Sequence, residues 1–423
     1  MKHYAIVGFG CAGYHAARAI RQADPEGHIA VFSDTGEPPF NPMLSTYYAS
    51  RRLALEAAFP FGTLEEVEKK LSLDLYARTR VQRVDTAAKT VELADGRTMT
   101  FDAILLATGA SALVPGPLRQ GGGDFFLMRT LDDARRLRTH LEQNPVRRAV
   151  VVGGSMVGIK VAELLHRRGV HTIIVDGASY LFPLAAYRNT AETIQARLEE
   201  QGVELVFGAQ VATIRPEGVA LADGRMLEAD LVCLCIGTRA NLELVANTQT
   251  VEGQGLNINR GIVVDETMRT NLPGIYAAGD CCEGINLQTG KTAIIGLWAN
   301  AGAQGDCAGR NMAGASDRYY GNILHNITHF FDMDFIGLGD PGIPGEHFGC
   351  RGKDFTVEAV MDGEKLCSVN ILGKYKISGV LKNHLTKRLL GGDSRLTVAQ
   401  QGVLAAQGLD RAFIKRIGGE TQR

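Results

Sequence analysis

Apolar residues in this chain gather in short runs that alternate with helix-like segments, a pattern typical of alternating strands and helices. The first run, Tyr4–Val7, leads through glycines into residues 14–23, which are rich in helix formers, and a second run follows at 29–32. Residues 149–175 repeat the order strand, helix and strand. The pattern predicts an α/β protein that contains the same strand–helix–strand module twice.

The second module lies inside the first. The apolar stretch that ends at Gly237 echoes the stretch that ends at Gly109, and short strands with a helix at about 296–311 then complete the first module. From about residue 317 the chain becomes richer in aromatic residues and alternating strands, which indicates a further small α+β domain. The predicted domains are 1–115 and 246–316 for the first module, 116–245 for the second, and 317–423 for the C-terminal domain.

Composition and charge narrow the class of protein. The 423 residues include 45 basic and 46 acidic side chains, a net charge of −1, which argues against a general nucleic-acid binder. We find no apolar run of the roughly 20 residues that a membrane helix needs, and no signal peptide. We therefore expect a cytoplasmic protein without a membrane segment.

Glycines follow the first apolar run at the spacing G-x-G-x-x-G. Gly8 stands at the tight turn, Gly10 where the backbone must approach a pyrophosphate, and Gly13 where the helix packs on its strand. The helix N-terminus offers free N–H groups and a positive dipole end to phosphates. Asp34 follows the second strand, at a distance that suits a carboxylate holding a ribose hydroxyl. This order of features predicts a dinucleotide site.

A second fingerprint lies at Gly153–Gly158, and Asp176 closes the strand after it. A carboxylate at that position favours an adenosine 2′-hydroxyl and repels a 2′-phosphate, so NAD(H) is preferred over NADP(H). Ser155 stands in place of the second glycine. Its side chain either crowds the pyrophosphate or donates its hydroxyl to a phosphate, and the alternative is a degenerate turn that is kept only as scaffold.

The eight cysteines show no C-x-x-C pair and no spacing typical of zinc or iron–sulfur ligands, so no metal site is predicted. Cys281 and Cys282 are adjacent, a geometry that disfavours a disulfide, and we do not expect a redox role for them. His325 and His329 lie in a strand-like segment and are expected to be core or interface residues.

The ordered motifs resemble those of flavoprotein reductases with two dinucleotide-binding domains, the pyridine-nucleotide–disulfide oxidoreductase superfamily. The matching motifs are Gly8–Gly13, Ala107-Thr108-Gly109, Gly153–Gly158, Gly237–Asn241 with Ala240 in place of proline, and Thr270–Asp280. In this family the aspartate of the last motif holds the ribityl chain of the flavin, and we expect the same of Asp280. The fold implied is two Rossmann-like domains, the NAD domain inserted in the FAD domain, plus the C-terminal domain.

The resemblance also implies which residues contact the two cofactors. Those expected at FAD are Gly8, Gly10, Cys11, Ala12, Gly13, Ser33, Asp34, Asn41, Ser45, Val81, Ala107, Thr108, Gly109, Gly279, Asp280 and Trp298. Those expected at NAD are Gly153, Gly154, Ser155, Met156, Val157, Gly158, Asp176 and Gly237.

Two departures from the family concern the chemistry. Leu44-Ser45 is followed by Thr46 where the peroxidase and oxidase branch has a cysteine, and threonine forms no thiolate. The loop more closely resembles that of the ferredoxin-reductase and nitrite-reductase branch. Lys160 stands where the family commonly has a glutamate near the nicotinamide. Lys160 either favours a reduced, anionic flavin or is a helix-flank lysine with its ammonium in water, so Lys160 and Thr46 are the two candidate catalytic residues.

The resemblance implies an FAD enzyme that exchanges a hydride with NAD(H) and passes electrons to or from an iron–sulfur protein or subunit. The chain is also similar to flavin subunits of multi-subunit 2-oxoacid dehydrogenases of the phenylglyoxylate type, which reduce NAD⁺. We expect a hetero-oligomeric complex or a homodimer. Two alternatives stay open: a stand-alone NADH oxidase that reduces oxygen, and an assembly subunit that FAD stabilises without turnover.

The C-terminal domain is the expected docking region for an acidic iron–sulfur partner, because aromatic residues and clustered positive charge favour such an interface. The alternative is that the aromatic residues form a core or a homodimer seam and that the basic run is a solvated face. The candidate residues are Phe330, Phe331, Phe335, Lys382, Lys387 and Arg388.

Overall fold

The computed structural model describes residues 1–246, 255–373, 375–392 and 395–418. It divides into two compact units, Met1–Ser111 with Thr238–Asn322, and Ala112–Gly237 with Ile323–Arg423. We call them unit 1 and unit 2. Residues 247–254, just after the predicted domain boundary at 245/246, lie outside the described residues.

The elements of the described residues follow the predicted alternation. The strands are β1 (His3–Val7), β2 (His28–Phe32), β3 (Asp74–Tyr76), β4 (Val81–Asp85), β5 (Thr90–Leu93), β6 (Thr98–Thr100), β7 (Ala103–Leu106), β8 (Ala110–Ala112), β9 (Arg148–Val152), β10 (His171–Asp176), β11 (Glu204–Phe207), β12 (Val211–Arg215), β13 (Gly218–Leu221), β14 (Met226–Glu228), β15 (Leu231–Leu234), β16 (Thr238–Ala240), β17 (Ile262–Val263), β18 (Ile275–Ala277), β19 (Cys282–Ile285), β20 (Thr292–Ala293), β21 (His325–Phe330), β22 (Met333–Leu338), β23 (Glu346–Arg351), β24 (Thr356–Asp362) and β25 (Lys365–Leu372). The α-helices are α1 (Cys11–Ala23), α2 (Ser45–Ala49), α3 (Leu64–Leu71), α4 (Gly116–Arg119), α5 (Leu131–Gln143), α6 (Met156–His166), α7 (Arg188–Glu200), α8 (Glu243–Ala246), α9 (Trp298–Met312), α10 (Ser378–Leu389), α11 (Val398–Ala406) and α12 (Arg411–Arg416).

Unit 1 is built on a five-stranded parallel sheet of order β18-β7-β1-β2-β3. Helix α1 connects β1 to β2, and α9 packs against α1 almost backbone to backbone. A Cβ at Gly305 would lie 2.3 Å from the carbonyl oxygen of Ala12, and one at Gly309 would lie 2.4 Å from that of Ala16. The glycines of α9 therefore allow a close approach that fixes the position of α1.

Unit 2 contains a second parallel sheet, of order β11-β10-β9-β15, in which α6 connects β9 to β10. Strand β9 is buried from Ala149 to Val152, as expected for the middle of a parallel sheet. An antiparallel sheet of strands β12, β13 and β14 accompanies it.

The rest of unit 2 is an antiparallel sheet of order β21-β22-β25-β24-β23, here called the C-terminal sheet. Its core is shared with the last three helices through buried side chains such as Leu381 of α10, Leu404 of α11 and Phe413 of α12. Helices α10 and α12 supply helical content that agrees with the expected α+β class of this part of the chain. Helix α11 was not predicted, because only Leu404 of its residues is buried and no helical period marks it.

The predicted α/β class with two Rossmann-like modules, one inserted in the other, and a small α+β C-terminal part is confirmed. The sheet orders and the division of the chain show this arrangement. The assignment of each domain to one cofactor, with its exact boundaries, stays a prediction.

Candidate functional site

The first glycine fingerprint forms a turn with an opening at its centre. Gly8 has a φ of +104°, and a Cβ there would lie 2.2 Å from the carbonyl oxygen of Ala107. A Cβ at Gly13 would lie 2.2 Å from the carbonyl oxygen of Gly8. In contrast, no atom lies within 4 Å of the position that a Cβ of Gly10 would take. The outer glycines are thus required by close packing, and the middle one leaves a cradle in front of α1.

Two further turns of unit 1 adjoin this cradle. Thr108 and Asn241 exchange two hydrogen bonds, of 2.9 Å from the threonine hydroxyl to the Asn241 carbonyl and 2.8 Å from the asparagine amide to the Thr108 carbonyl. The Cβ of Ala12 lies 3.1 Å from the position of a Cβ on Gly279, and the amide of Gly279 donates to Gln304 of α9 over 2.9 Å. The turns that carry Ala107–Gly109 and Gly279–Asp280 therefore meet at the N-terminus of α1, as the motifs predict.

Several predicted FAD residues have side chains that suit a polar ligand. The hydroxyl of Ser45 is buried and has no hydrogen-bond partner among the described residues. The side chain of Asp34 is exposed at the end of β2. Asp280 lies near Cys11, whose pKa is raised to about 12 by burial and then by the charge of Asp280. An open cradle, an unpaired buried hydroxyl and exposed or half-buried carboxylates together fit a dinucleotide.

The other predicted FAD residues have structural roles that the sequence did not show. Ser33 contacts the hydroxyl of Thr35, Asn41 accepts from the amide of Met43 at the start of a short 3₁₀ helix, and Val81 is buried at the start of β4. Cys11 donates to the carbonyl of Trp298 over 3.3 Å. Their contacts with FAD stay predictions.

An aromatic stack beside the cradle was missed by the sequence analysis. The ring of Phe61 stacks on Tyr14 with centroids 3.7 Å apart and on Trp298 with centroids 5.9 Å apart. Close by, Asp306 of α9 pairs with His15 and Arg18 of α1. Tyr14, His15 and Arg18 share one helix face, and that spacing was the only available signal. The stack therefore connects Trp298, at the start of α9, to α1 through the ring of Phe61.

The second fingerprint in unit 2 repeats the geometry of the first. Gly153 has a φ of +108°, and a Cβ there would lie 2.5 Å from the carbonyl oxygen of Cys235. A Cβ at Gly158 would lie 2.0 Å from the carbonyl oxygen of Gly153. Met156 and Val157 form the first turn of α6, where Val157 is exposed. This degree of constraint is what a working Rossmann turn requires.

Ser155 has a different role from the one that the sequence analysis gave it. Its hydroxyl donates to the carbonyl of Cys235 over 2.8 Å and accepts from the amide of Gly158 over 3.1 Å, as the N-cap of α6. The expectation that this hydroxyl is free to donate to a phosphate is therefore wrong. The side chain of Ser155 therefore stabilises the turn.

Asp176 lies where the sequence places it, at the end of β10. Its carboxylate accepts from the amide of Gly154 over 2.6 Å and from the amide of Ala178 over 2.8 Å. The carboxylate is therefore connected directly to the second fingerprint. Gly237, the last predicted NAD residue, has a φ of +106° and accepts from the amide of Leu113.

Lys160 is buried, and the expectation of an ammonium in water is wrong. The Nζ atom donates to the carboxylate of Glu163 over 2.7 Å and to the carbonyl of His329 over 2.6 Å. Glu163 is also buried and accepts from Arg167 over 3.0 Å. The ammonium thus connects α6 to the C-terminal sheet, because burying a lysine requires such partners. A role for Lys160 towards the flavin stays a prediction.

The thiols of this chain are poorly suited to redox chemistry. All eight cysteines are free and buried. Burial raises the pKa of each thiol, to about 12 for Cys235 and about 11 for Cys307, and raises those of Cys281 and Cys282 also. Since the thiolate is the reactive form, raised pKa values make these thiols weak nucleophiles. Thr46 is buried at the start of α2, at the position where an active thiol would stand.

The prediction of an exposed aromatic docking surface is wrong for two of its three residues. Phe330 and Phe335 are buried, and both pack on the ring of Phe182. Phe331 contacts His166 at the end of α6. The aromatic segment therefore belongs to the packing of unit 2, which was the alternative interpretation.

The basic part of the predicted surface is only partly available to a partner. Lys387 is exposed and Arg388 half-buried, whereas burial lowers the pKa of Lys382. His325 is half-buried, with a pKa lowered to about 4 by burial and then by the charge of Lys382. His329 is exposed and pairs with Asp334 across the hairpin of β21 and β22, so it is not a core residue.

Two features typical of other classes of protein are missing from the described residues. No helix there combines the length and apolar character that a membrane span requires. No group of three or more histidine, cysteine, aspartate or glutamate side chains in the described ranges is arranged to hold a metal ion.

Comparison with known proteins identifies the family of this chain. The family model described as "Pyridine nucleotide-disulphide oxidoreductase" matches residues 2–305. An NADH oxidase from Methanocaldococcus jannaschii is 28% identical over 343 residues, which are 79% of this chain and 75% of the oxidase. The epsilon subunit of an NADH-dependent phenylglyoxylate dehydrogenase from Aromatoleum evansii is 30% identical over 355 residues, 81% of this chain and 80% of the subunit.

A third relative is named for its electron-transfer partner. The ferredoxin–NAD(+) reductase component of a biphenyl dioxygenase system from Paraburkholderia xenovorans is 32% identical over 284 residues, 65% of this chain and 66% of that component. Together with the two fingerprints, these matches show that the chain belongs to the pyridine nucleotide-disulphide oxidoreductase family and is an FAD- and NAD(H)-dependent oxidoreductase.

Proposed function

We propose that this enzyme passes electrons between NAD(H) and an iron–sulfur protein or subunit carried on another chain. FAD supplies the conversion between two-electron exchange with NAD(H) and one-electron exchange with such a partner. The protein's own contribution is to bind and orient the two cofactors and to keep other groups from reacting.

In this proposal unit 1 holds FAD. The pyrophosphate lies in the cradle at Gly10, against the free amides at the start of α1, and Asp34 accepts from a ribose hydroxyl. Asp280 accepts from the ribityl chain, and the unpaired hydroxyl of Ser45 donates to a polar atom of the flavin. The remaining predicted FAD residues line the same turns.

Unit 2 holds NAD(H) in the same manner. The backbone amides of Ser155, Met156 and Val157, at the start of α6, bind the pyrophosphate, and Asp176 accepts from the adenosine ribose. The carboxylate also orients the Gly154 amide, so that one side chain supports both parts of the nucleotide site. Because a carboxylate repels a 2′-phosphate, NADH is the preferred substrate.

The observation that favours an iron–sulfur protein as the acceptor is that the thiols are buried and have raised pKa values. Disulfide reductases and cysteine-dependent oxidases need a reactive thiolate beside the flavin. Here Thr46 occupies that position, and the eight cysteines are buried with raised pKa values. Direct transfer from the flavin to a partner protein needs no thiol and agrees with these residues. The ferredoxin-linked relative supports the same choice.

A more specific form of the proposal is that the chain is the NAD-linked flavin subunit of a 2-oxoacid dehydrogenase of the phenylglyoxylate type. The subunit from Aromatoleum evansii supports this, since its similarity extends over 80% of that subunit's length. Purification of the chain from its native source under mild conditions tests it. The expected result is co-purification with iron–sulfur subunits, and a chain that elutes alone as an active enzyme would contradict it.

The second candidate is an NADH oxidase, which the relative from Methanocaldococcus jannaschii favours. The two functions differ in the acceptor that supports turnover. We expect anaerobic NADH oxidation to be fast with a ferredoxin whose reduction potential lies above that of NADH, and NADH oxidation with oxygen alone to be slow. Fast oxygen consumption with peroxide release, unaffected by added ferredoxin, would favour the oxidase.

A further inference from the structure

The loop at residues 177–187, between β10 and α7, connects the nucleotide fingerprint of unit 2 to the C-terminal sheet. At one end, Asp176 accepts from the amide of Gly154. In the middle, the amide of Phe182 donates to the carbonyl of Gly154 over 3.4 Å, and Leu181 lies 2.8 Å from the position that a Cβ of Gly154 would take. The loop therefore packs directly on the backbone that is expected to bind NAD(H).

The conformation of this loop is imposed by its surroundings. Phe182 has a φ of +54°, a left-handed conformation that is unfavourable for a residue with a bulky side chain. Its ring stacks on Phe335 with centroids 5.6 Å apart and meets Phe330 edge-on at 6.0 Å. Such a conformation persists only where packing holds it. Here two residues of the C-terminal sheet do so.

The other end of the loop is fixed by a buried asparagine. The amide of Asn370, in β25, donates to the carbonyl of Ala185 over 2.9 Å, and its oxygen accepts from the amide of Tyr187 over 2.7 Å. The hydroxyl of Tyr187 bonds to Ser368 over 2.6 Å. Asn370 is 2% exposed, so these backbone groups have no access to water as a substitute.

We propose that Asn370 is a positioning residue for the dinucleotide: it fixes the 177–187 loop on the C-terminal sheet, and the loop holds Gly154 and Asp176 in the geometry that binds the adenosine half of NAD(H). The inference rests on the proposed NAD site. It adds that the C-terminal sheet, which contributes no glycine fingerprint, is part of the machinery for nucleotide binding.

The first test replaces Asn370 by leucine, which has a similar size and neither donor nor acceptor. In the FAD-loaded enzyme we expect the Kd for ADP-ribose and the KM for NADH to rise about tenfold, with kcat within about twofold of the wild-type value. Reduction by 1-benzyl-1,4-dihydronicotinamide, which lacks the adenosine half, should be unchanged. The matched control is Asn383→Leu on the exposed face of α10, with no expected effect.

A second variant reaches the same loop without changing Asn370. A Cβ at Gly337 would lie 2.6 Å from the carbonyl oxygen of Ala185, so Gly337→Ala must widen the contact between β22 and the loop. Gly337→Ala should weaken ADP-ribose binding and leave reduction by 1-benzyl-1,4-dihydronicotinamide unchanged. It replaces Asn370→Leu as the test variant if that protein fails to fold. Wild-type affinity for ADP-ribose in either folded variant would overturn the inference. It would also be overturned if the rate of flavin reduction by 1-benzyl-1,4-dihydronicotinamide fell as much as the rate with NADH. A wild-type enzyme that neither binds ADP-ribose nor is reduced by NADH would instead refute the proposed function.

Discussion

The difference between Gly8 and Gly10 gives the sharpest prediction of the account. Gly10 has φ −90° and ψ −156°, an extended conformation that alanine adopts, and its Cβ would meet no atom within 4 Å. Gly10→Ala should therefore cost the apoprotein only about 0.5 to 1 kcal/mol, because alanine is a poorer N-cap than glycine. The same methyl group would occupy the cradle that is proposed for the pyrophosphate.

The expected loss of FAD affinity follows from the hydrogen bonds at this position. Forcing the phosphate away from one backbone amide costs roughly 1.5 to 3 kcal/mol, which corresponds to a 10- to 150-fold rise in Kd. Gly8→Ala is the matched contrast. Gly8 has a φ of +104°, and a methyl group there would lie 2.2 Å from the carbonyl oxygen of Ala107. Gly8→Ala should therefore lower the free energy of unfolding by about 3 kcal/mol or more.

Urea unfolding of the apoproteins and titration with FAD by fluorescence measure the two effects separately. Apoproteins are necessary because bound FAD would itself add stability by mass action. We expect Gly10→Ala to lose affinity at near-normal stability and Gly8→Ala to lose stability first. A Gly10→Ala protein that binds FAD with the wild-type Kd would refute the assignment of the cradle.

The remaining predictions concern charge and thiols. Asp176→Ser should lower the preference for NADH over NADPH, measured as the ratio of kcat/KM values, by about tenfold or more, and an unchanged ratio would show that another residue selects the nucleotide. Lys160→Met should lower the free energy of unfolding by about 3 kcal/mol, because it leaves the buried Glu163 without its lysine, and much of that loss should return in Lys160→Met with Glu163→Leu. The pKa of His325 is depressed to about 4, so neutral His325 contributes stability above its unfolded pKa of 6.5 that is lost as the pH falls towards 4. His325→Gln should therefore make the free energy of unfolding less dependent on pH in this window, and an unchanged pH profile would contradict the assignment. Iodoacetamide treatment of the NADH-reduced enzyme at about pH 8 should leave NADH-to-dye activity intact, whereas stoichiometric inactivation would restore a thiol mechanism.

Glycine positions could be predicted from the sequence because their requirement is local. Gly8 and Gly153 occupy a left-handed turn, and Gly13 and Gly158 lie where a helix meets its own strand. Both conditions follow from the order of strand, turn and helix, and the order is visible in the sequence. The placement of Asp176 followed from the same pattern.

Contacts between distant segments could not be predicted in this way. The sequence places Lys160 and Glu163 one helical turn apart, yet it does not show that the carbonyl of His329 is the second partner of the ammonium. Similarly, the aromatic residues of β21 and β22 suggested an exposed surface, because the sequence does not reveal that Phe182 covers two of them. The role of the Ser155 hydroxyl was not predicted because its acceptor, the carbonyl of Cys235, lies 80 residues away, just after β15.

In the proposed function NADH reduces the bound flavin, and electrons then pass directly to an iron–sulfur partner without a thiol relay. An anaerobic titration of the FAD-loaded enzyme with NADH, followed at the flavin absorbance band, tests it most directly when oxidised ferredoxin is added afterwards. We expect a single equivalent of NADH per FAD to complete the bleaching. Two equivalents of a one-electron ferredoxin with a reduction potential above that of NADH should then restore the absorbance within the time of catalytic turnover. A requirement for a second equivalent of NADH, or a flavin that ferredoxin leaves reduced while oxygen reoxidises it at once, would contradict the account.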